Sequence, residues 1–375
     1  MKKVTAHPIV SHLKTQRLTK GLTQTQLAER IGVQRQAIYD MESGRYLPNT
    51  AVALRLAAVL DCRIEDIFAL DEPSADPSLV LIGQSVSDSD TRLALASVRG
   101  KLVGFPLTGK NDFRENMLPA DGLLLKQSGR LRLLQPESAL GQKALLMGCD
   151  PAFEILSAHV NRSPGASRLL CRFASSQRAL EALSSGHTHI AGTHLHNTGE
   201  TEANVALARR VLGDFNGVVI GFSTFEEGLM VAPGNPLKIR GVSDLARREV
   251  RMVNREPGAA LRSLLEDCLA RQRIPFAAVR GFEDLAGGHS EGAQRVLYGT
   301  ADAALGLRVV ASLYGLDFVD ISTVRCDLVI PDDLMEHQAV RVLLDVLQSR
   351  ALREDLNHLP GYDTSDTGKV IARRF

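Results

Sequence analysis

The spacing of apolar positions changes character three times along the chain. Over residues 9–70 it is helical: Ile9, Leu13 and Leu18 fall near one stripe, and Gly21 ends that segment. The next run, LTQTQLAERIGVQRQAIYDMESG, opens on Thr23, a natural N-cap with Gln26 three residues on as its capping-box partner. Leu27, Ala28 and Ile31 supply an inward face, Gly32 permits a tight turn, and Val33 plugs it from below. A second helix is predicted over about 34–41, with Ala37 and Ile38 pointing inward. Two short helices joined by a Gly-containing turn are a helix-turn-helix.

Residues 71–78, DEPSADPS, carry two prolines among small polar residues and read as a linker. Over 79–142 the segments are short and β-like: LVLIG, KLVGFPL and GLLLKQSGRLRLL, with Gln127-Ser128-Gly129-Arg130 as a hairpin turn. This β-rich stretch is expected to act as a spacer or dimerisation element. From 143 to 375 strands and helices alternate, as in layered α/β folds. Predicted strands include ALLMGC, SRLLCRFA, THIAGTHL, VVIGF, GLMVAPG, REVRMVNRE, AAVRGF, ADAALGL and RCDLVIP. Helices follow Asp150, which reads as a cap, and Ser175-Ser176, and others fall at about 259–271, 289–299, 306–315 and 336–354. The chain therefore divides into a helical head (1–70), a linker (71–78), a β-rich segment (79–142) and an α/β body (143–375).

Charge sharpens that division. The whole chain is nearly neutral at +1, but residues 1–70 carry ten Lys/Arg against six Asp/Glu, and the remainder 34 against 37. A basic head on a mildly acidic body suggests separate tasks. There is no Trp, which disfavours an aromatic cage. Five scattered cysteines without a CxxC pair argue for reduced thiols and against a disulfide framework or structural zinc. With no secretory start and no apolar run long enough to span a bilayer, a cytoplasmic protein is expected.

The run GLTQTQLAERIGVQRQAIYDMESGR, with Pro48 and LRLAAVL beyond it, resembles the Cro/XRE-type helix-turn-helix domain. The resemblance implies a five-helix DNA-binding head acting as a homodimer on a two-fold site of double-stranded DNA. Gln34, Arg35, Gln36 and Tyr39 would enter the major groove, where Gln pairs with adenine and Arg with guanine. Gln24, Arg45 and Lys20 would meet phosphates, which set register.

The ordered series GCDPA (from Gly148), AGTHL (Ala191), TGE (Thr198), EGLMVAPGNP (Glu227), VNR (Val253), GTAD (Gly299), DLVIP (Asp327) and GYD (Gly361) is similar to a second family. It resembles the periplasmic-binding-protein-like domain, in the subgroup fused to helix-turn-helix heads and to molybdenum-cofactor proteins. That implies a type II two-lobed α/β clamp which binds, without catalysis, a small and usually anionic ligand such as molybdate or tungstate. Carried over, the ligand-binding candidates are Asp150, Ser175, Ser176, His194, Asn254, Arg255 and Arg262. Serines at a helix start and a forked guanidinium are natural oxyanion donors. Relatives commonly read GSGTR where Gly258 to Arg262 here reads GAALR, which removes two hydroxyls and leaves room for a partly apolar ligand.

Other chemistry is thin. His187, His189, His194 and His196 lie within ten residues, and with Cys149 nearby would suit a soft or borderline metal; with no carboxylate at ligand spacing, no metal and no cofactor is assigned. No G-x-S-x-G, H-E-x-x-H or complete Walker motif is present. GFPLTGK (from Gly104) reads as a turn, and Asp112, Arg114, Glu115, Glu226-Glu227 and Asp332-Asp333 read as solvated loops. Two further readings stay open: a molybdenum-cofactor assembly factor tethered to DNA, and a phage- or toxin-system DNA-binding protein whose body is only an interaction surface.

Overall fold

A computed structural model of the chain describes residues 9–70, 79–83, 89–108, 113–126, 129–165, 167–197, 202–213 and 216–373. It divides into two compact units, Met1–Pro77 and Ser78–Phe375. The predicted linker 71–78 lies outside the described residues.

Among the described residues the first unit has five helices: α1 (Leu13–Thr19), α2 (Gln24–Ile31), α3 (Arg35–Glu42), α4 (Thr50–Leu60) and α5 (Ile64–Ile67). Thr23 caps α2 as its sequence predicts. Its hydroxyl accepts from the Gln26 amide, and the Gln26 side chain reaches back to the Thr23 amide. Gly32 ends α2 at φ 72°, a conformation glycine adopts without penalty, and the chain turns into α3. Leu13, Leu27, Ile31, Ile38, Met41, Leu56 and Leu60 fill the core. The helical reading fails at its edges. Ile9–Ser11 is a strand, β1, paired antiparallel with β2 (Phe68–Leu70), and Leu18 is exposed. The inward position on α1 next to Leu13 belongs to Arg17, whose guanidinium is buried against Glu42 at 2.5 Å and donates to the Leu22 carbonyl at 2.6 Å.

In the second unit β3 (Leu79–Leu81), β4 (Thr91–Val98), β5 (Lys101–Pro106), β6 (Gly122–Leu124) and β7 (Leu131–Leu133) form a sheet ordered β3-β5-β4-β6-β7. Its central strand, TRLALASV, was not among those the sequence predicts. Gly104 to Pro106 lie within β5, so that part of the G-x-x-x-x-G-K run is strand and not turn; Asp112 and the Gln127-Ser128 step lie outside the described residues. Phe105, Val103 and Ala96 share a core with Leu145, Met147 and Leu180 of the body, so the segment is packed into the body's layers. Asp121 clamps the two: its carboxylate accepts from the Leu95 amide at 2.7 Å and from Lys143 at 2.5 Å.

The remaining helices are α6 (Phe113–Asn116), α7 (Glu137–Leu140), α8 (Phe153–Arg162), α9 (Ser176–Ser184), α10 (Ala203–Leu212), α11 (Ala260–Arg271), α12 (His289–Leu297), α13 (Arg308–Leu313), α14 (Gln338–Gln348) and α15 (Arg350–Asn357). Of these α7 packs on the five-stranded sheet through Leu140, while those from α8 onward accompany a ten-stranded mixed sheet of β8 (Lys143–Gly148), β9 (Arg168–Phe173), β10 (Ile190–His194), β11 (Gly217–Val231), β12 (Met252–Arg255), β13 (Leu285–Ala286), β14 (Ala303–Leu307), β15 (Asp317–Pro331), β16 (Tyr362–Asp363) and β17 (Val370–Arg373).

Two predicted strands, VVIGF and GLMVAPG, are one 15-residue strand, β11, running antiparallel to the 15-residue β15. This pair is the spine of the body. Its first part carries β10, β8 and β9 through β15, and its far part carries β14, β12 and β13 through β11. The result is two curled lobes joined by two continuous strands. Register shifts fall between Gly221 and Ser223 and between Glu227 and Gly228, where the strands bend. At Gly228 a Cβ would run into the Val319 carbonyl, so only glycine lets the strands cross so closely. AAVRGF is not a strand but a short 3-10 turn, Phe276–Ala278, and the helix expected over 336–354 breaks at Ser349.

Candidate functional site

On the head, Gln34 stands at the N-cap of α3, and Gln34, Arg35, Gln36 and Tyr39 are all exposed along its first turns. Gln36 donates to Asp40 at 3.1 Å, and the Arg45 guanidinium lies 5.7 Å from the Tyr39 ring centre. Both contacts are at the surface and leave these groups within reach of a partner. Gln24 differs. It donates to Glu42 at 2.8 Å and so joins the buried Arg17–Glu42 pair, while Lys20 pairs with Asp61 at 3.3 Å.

In the body, a narrow cleft lies where the lobes face each other. One lobe contributes Cys149, Phe173, Ser175, Ser176 and His194; the other contributes Arg255, Glu256, Ala259, Ala260, Leu261 and His289. Ser175 is the N-cap of α9 but makes no side-chain cap bond, so its hydroxyl and the first amides of α9 point at the cleft without an internal competitor for the cap position. Ser176 is fastened: its hydroxyl accepts from the His194 amide at 3.0 Å, pinning the end of β10 to α9. Arg255 is buried at the end of β12, with its ring-facing side over Phe173. It grips Glu256 with two donors, both at 3.1 Å, and its third faces His289 at 3.3 Å. Burial and the neighbouring Arg255 charge push the His289 imidazole well below its usual range, so it is neutral.

Three sequence-predicted residues stand apart from the cleft wall. Asp150 accepts from the Ala152 amide (2.8 Å), the Ser223 hydroxyl (2.7 Å) and the Tyr362 hydroxyl (2.6 Å), which locks the start of α8 to the bend in β11. It is not the cap of α8, whose N-cap is Ala152. Asn254 donates to the Phe282 carbonyl at 2.9 Å. Arg262 pairs with Glu266 at 2.8 Å and donates to the Arg255 carbonyl at 3.3 Å, supporting Arg255 from behind. Ser175, Ser176, His194 and Arg255 do meet. Ala259 to Leu261, from the GAALR departure, supply an apolar wall.

The histidines separate by role. His189 is buried, accepts from the Leu145 amide at 3.0 Å, and is pushed down to about 3 by burial and its neighbour His337, so it is a neutral core residue. His194 and His196 face a carboxylate that sequence reasoning had assigned to a solvated loop. Glu227 is fully buried in β11, 3.3 Å from His194 Nε2 and 2.6 Å from His196 Nε2. Its neighbour Glu226 points to the other face and pairs with Arg308. Burial would raise the Glu227 carboxyl, but the two imidazoles outweigh it and hold the group at about 2. On its other side His194 Nδ1 lies 3.2 Å from Cys149 Sγ. Burial works against the His194 imidazolium, yet the sulfur and Glu227 together raise His194 well above its usual range. Among the described residues no group of three or more His, Cys, Asp or Glu is arranged to hold a metal ion.

Residues 157–348 match the family model of the PBP superfamily domain, over half the chain, and residues 13–67 match a helix-turn-helix model. The chain belongs to the PBP superfamily. It is a PBP-like ligand-binding domain carried by an XRE-type helix-turn-helix transcriptional regulator. The PBP-like part is similar to the uncharacterised protein YvgK of Bacillus subtilis, 28% identical over 259 residues, covering 69% of this chain and 83% of YvgK. The head is 50% identical over 64 residues to an uncharacterised HTH-type transcriptional regulator of Methanothermobacter thermautotrophicus, covering 17% of this chain and 93% of that protein. Among solved structures, Peb3 of Campylobacter jejuni is similar with a TM-score of 0.42 and 17% identity, covering 59% of this chain and 99% of Peb3. No helix among the described residues is long and apolar enough to cross a membrane.

The PBP-like cleft thus is lined by two side chains that sequence reasoning did not assign to ligand, His289 and Cys149, and a third, Glu227, is buried behind His194. Glu227 had a usable signal. A charged residue abutting the apolar run GLMVAPG is costly to bury unless it has partners, which makes it conspicuous if the run is a strand. His289 had none, because only the fold brings α12 to β12.

Proposed function

We propose that this regulator binds a two-fold DNA operator as a homodimer through its XRE-type head, works in the cytoplasm, and is set by a small anion held between the two PBP-like lobes. Gln34, Arg35, Gln36 and Tyr39 read base edges, while Arg45 and Gln24 hold phosphates. The ligand is a molybdate- or tungstate-like oxyanion or a related metabolite. It is bound by Ser175, Ser176, His194 and Arg255, with Asp150, Asn254 and Arg262 holding those groups in place.

The observation that carries this reading is the meeting, in one cleft, of the α9 N-terminus with Ser175 from one lobe and the buried Arg255 fork from the other. Helix N-termini and guanidinium forks both favour anions, and a ligand touching both lobes binds the closed form better than the open one. Glu256 occupies the fork with a carboxylate, which is the geometry an anionic ligand would take over. The Ala259 to Leu261 wall favours an anion with an apolar part over a bare tetrahedral one. The test is thermal unfolding with molybdate, tungstate, sulfate and small carboxylates. At about a hundred times Kd an anion adds about 2.7 kcal/mol, a rise of several degrees in Tm, which Arg255→Ala should abolish. If no anion moves Tm, or if Arg255→Ala responds as the parent does, the reading is wrong.

A further inference from the structure

The cleft holds a nucleophile arrangement that anion binding does not use. Cys149 is partly exposed on the cleft wall just past β8, its sulfur 3.2 Å from His194 Nδ1. His194 Nε2 faces Glu227, so the ring is oriented by a buried carboxylate on one nitrogen and presents the other to the thiol. The ring is further held by its edge-on contact with Phe225, 5.3 Å between centres, and by Ser176 gripping its backbone amide. The sulfur lies beside the ring, 3.9 Å from Nε2 as well, and a thiol in contact with an imidazole that a carboxylate faces is the group set of an activated cysteine nucleophile. His194 is thus the base within reach of the Cys149 proton. The other four cysteines have no such partner: Cys171 and Cys326 are buried in the body, and Cys62 and Cys268 do not line the cleft.

We propose that Cys149, His194 and Glu227 form a covalent capture site for a small carbonyl-bearing anion, a 2-oxo acid. His194 takes the thiol proton as the Cys149 sulfur attacks the carbonyl carbon, a C–S bond forms, the C=O π bond opens, and His194 passes that proton to the new alkoxide oxygen. The product is a hemithioketal; no group leaves, no oxidant or reductant is consumed, and reversal releases the ligand intact. The carboxylate of the same molecule goes to Arg255 and the α9 N-terminus, and its short alkyl part meets Ala259 and Ala260. Such a ligand uses the thiol and the Ala259–Ala260 wall as well as the Arg255 fork, which a tetrahedral oxyanion does not. This assignment rests on the anionic reading of the cleft and names its ligand class.

The full-length protein is treated with iodoacetamide, and modification of each cysteine is followed by peptide mass, with and without pyruvate or glyoxylate. Cys149 should react at least tenfold faster than the same residue in a His194→Gln variant, an order-of-magnitude expectation for an assisting base. Pyruvate and glyoxylate should protect Cys149, whereas lactate and glycolate, which lack the electrophilic carbon, should not. A Cys149→Ser variant should lose its thermal shift with 2-oxo acids while keeping any shift with sulfate or molybdate. Equal protection by lactate, or an unchanged Cys149 rate in His194→Gln, overturns the covalent proposal. In either case a retained oxyanion shift in Cys149→Ser leaves the anionic cleft standing. Loss of every anion shift, with no protection by 2-oxo acids, removes both.

Discussion

Replacing Glu227 by glutamine removes one charge from the middle of the spine strand while keeping shape. In the folded protein its carboxyl lies at about 2 against an ordinary 4.5, because His194 and His196 overcome the cost of burial. At about 1.4 kcal/mol per pH unit, that depression is worth about 3 kcal/mol. A depressed carboxyl contributes in full above its unfolded value, so this stabilisation is present above about pH 4.5 and is lost as pH falls toward 2. His194 is the same ion pair seen from its partner: with its value raised, its contribution is full below about 6.5 and is lost as pH climbs through the folded value. Glu227→Gln should therefore lower the Tm of the body by about 5–8 °C at pH 6, given the usual few degrees per kcal/mol for a unit this large. The gap should narrow to about half as pH approaches 3. Calorimetry of the full chain across pH 3–7 measures it. A glutamine that accepts from one imidazole and satisfies the other would give no change at pH 6, as buried pairs replaced by neutral groups sometimes do. An unchanged Tm at pH 6, or a gap of the same size at pH 3, would refute the ion-pair argument.

Thr23→Ala removes one half of a formed capping box at α2, and should cost the head about 1 kcal/mol, read as a lower denaturant midpoint of its transition. Arg35→Ala should weaken operator binding by about 1–3 kcal/mol and relax base preference at one position, whereas Arg45→Ala should weaken all sequences alike and reduce the salt dependence. Fluorescence anisotropy on a panel of single-base operator variants separates the two effects.

The head was the most legible part of the chain because its signals are local. A cap, its partner three residues on, and a turn glycine act within one or two turns of helix, and α2 and α3 follow them closely. Its edges were not legible: Ile9 pairs with Leu70 across the whole unit, and Arg17 lies inward only because Glu42 is there to meet it. In the body, the strand-to-helix junctions after Phe173 and Arg255 were readable because a serine pair marks one and a Pro-Gly turn the other. Joining VVIGF to GLMVAPG was not, since a bulged strand serving both lobes reads locally as two short strands. The same long-range cause hid the Cys149–His194–Glu227 line. Its members come from β8, β10 and β11, and periodicity within any one of them says nothing about the other two. Glu226 and Glu227, read as a solvated loop, are adjacent strand residues and so point to opposite faces; burial of one and not the other depends on the spine crossing.

The central claim is that occupation of the PBP-like cleft changes how tightly the head holds DNA. It is tested most directly by the affinity of the full-length protein for DNA from upstream of its own gene, measured by anisotropy at fixed salt, with and without a small-metabolite extract. The account predicts that the extract shifts Kd severalfold or more and that Arg255→Ala binds the same DNA but no longer responds. Identical affinity with and without extract, in a protein whose body the extract stabilises, would contradict it.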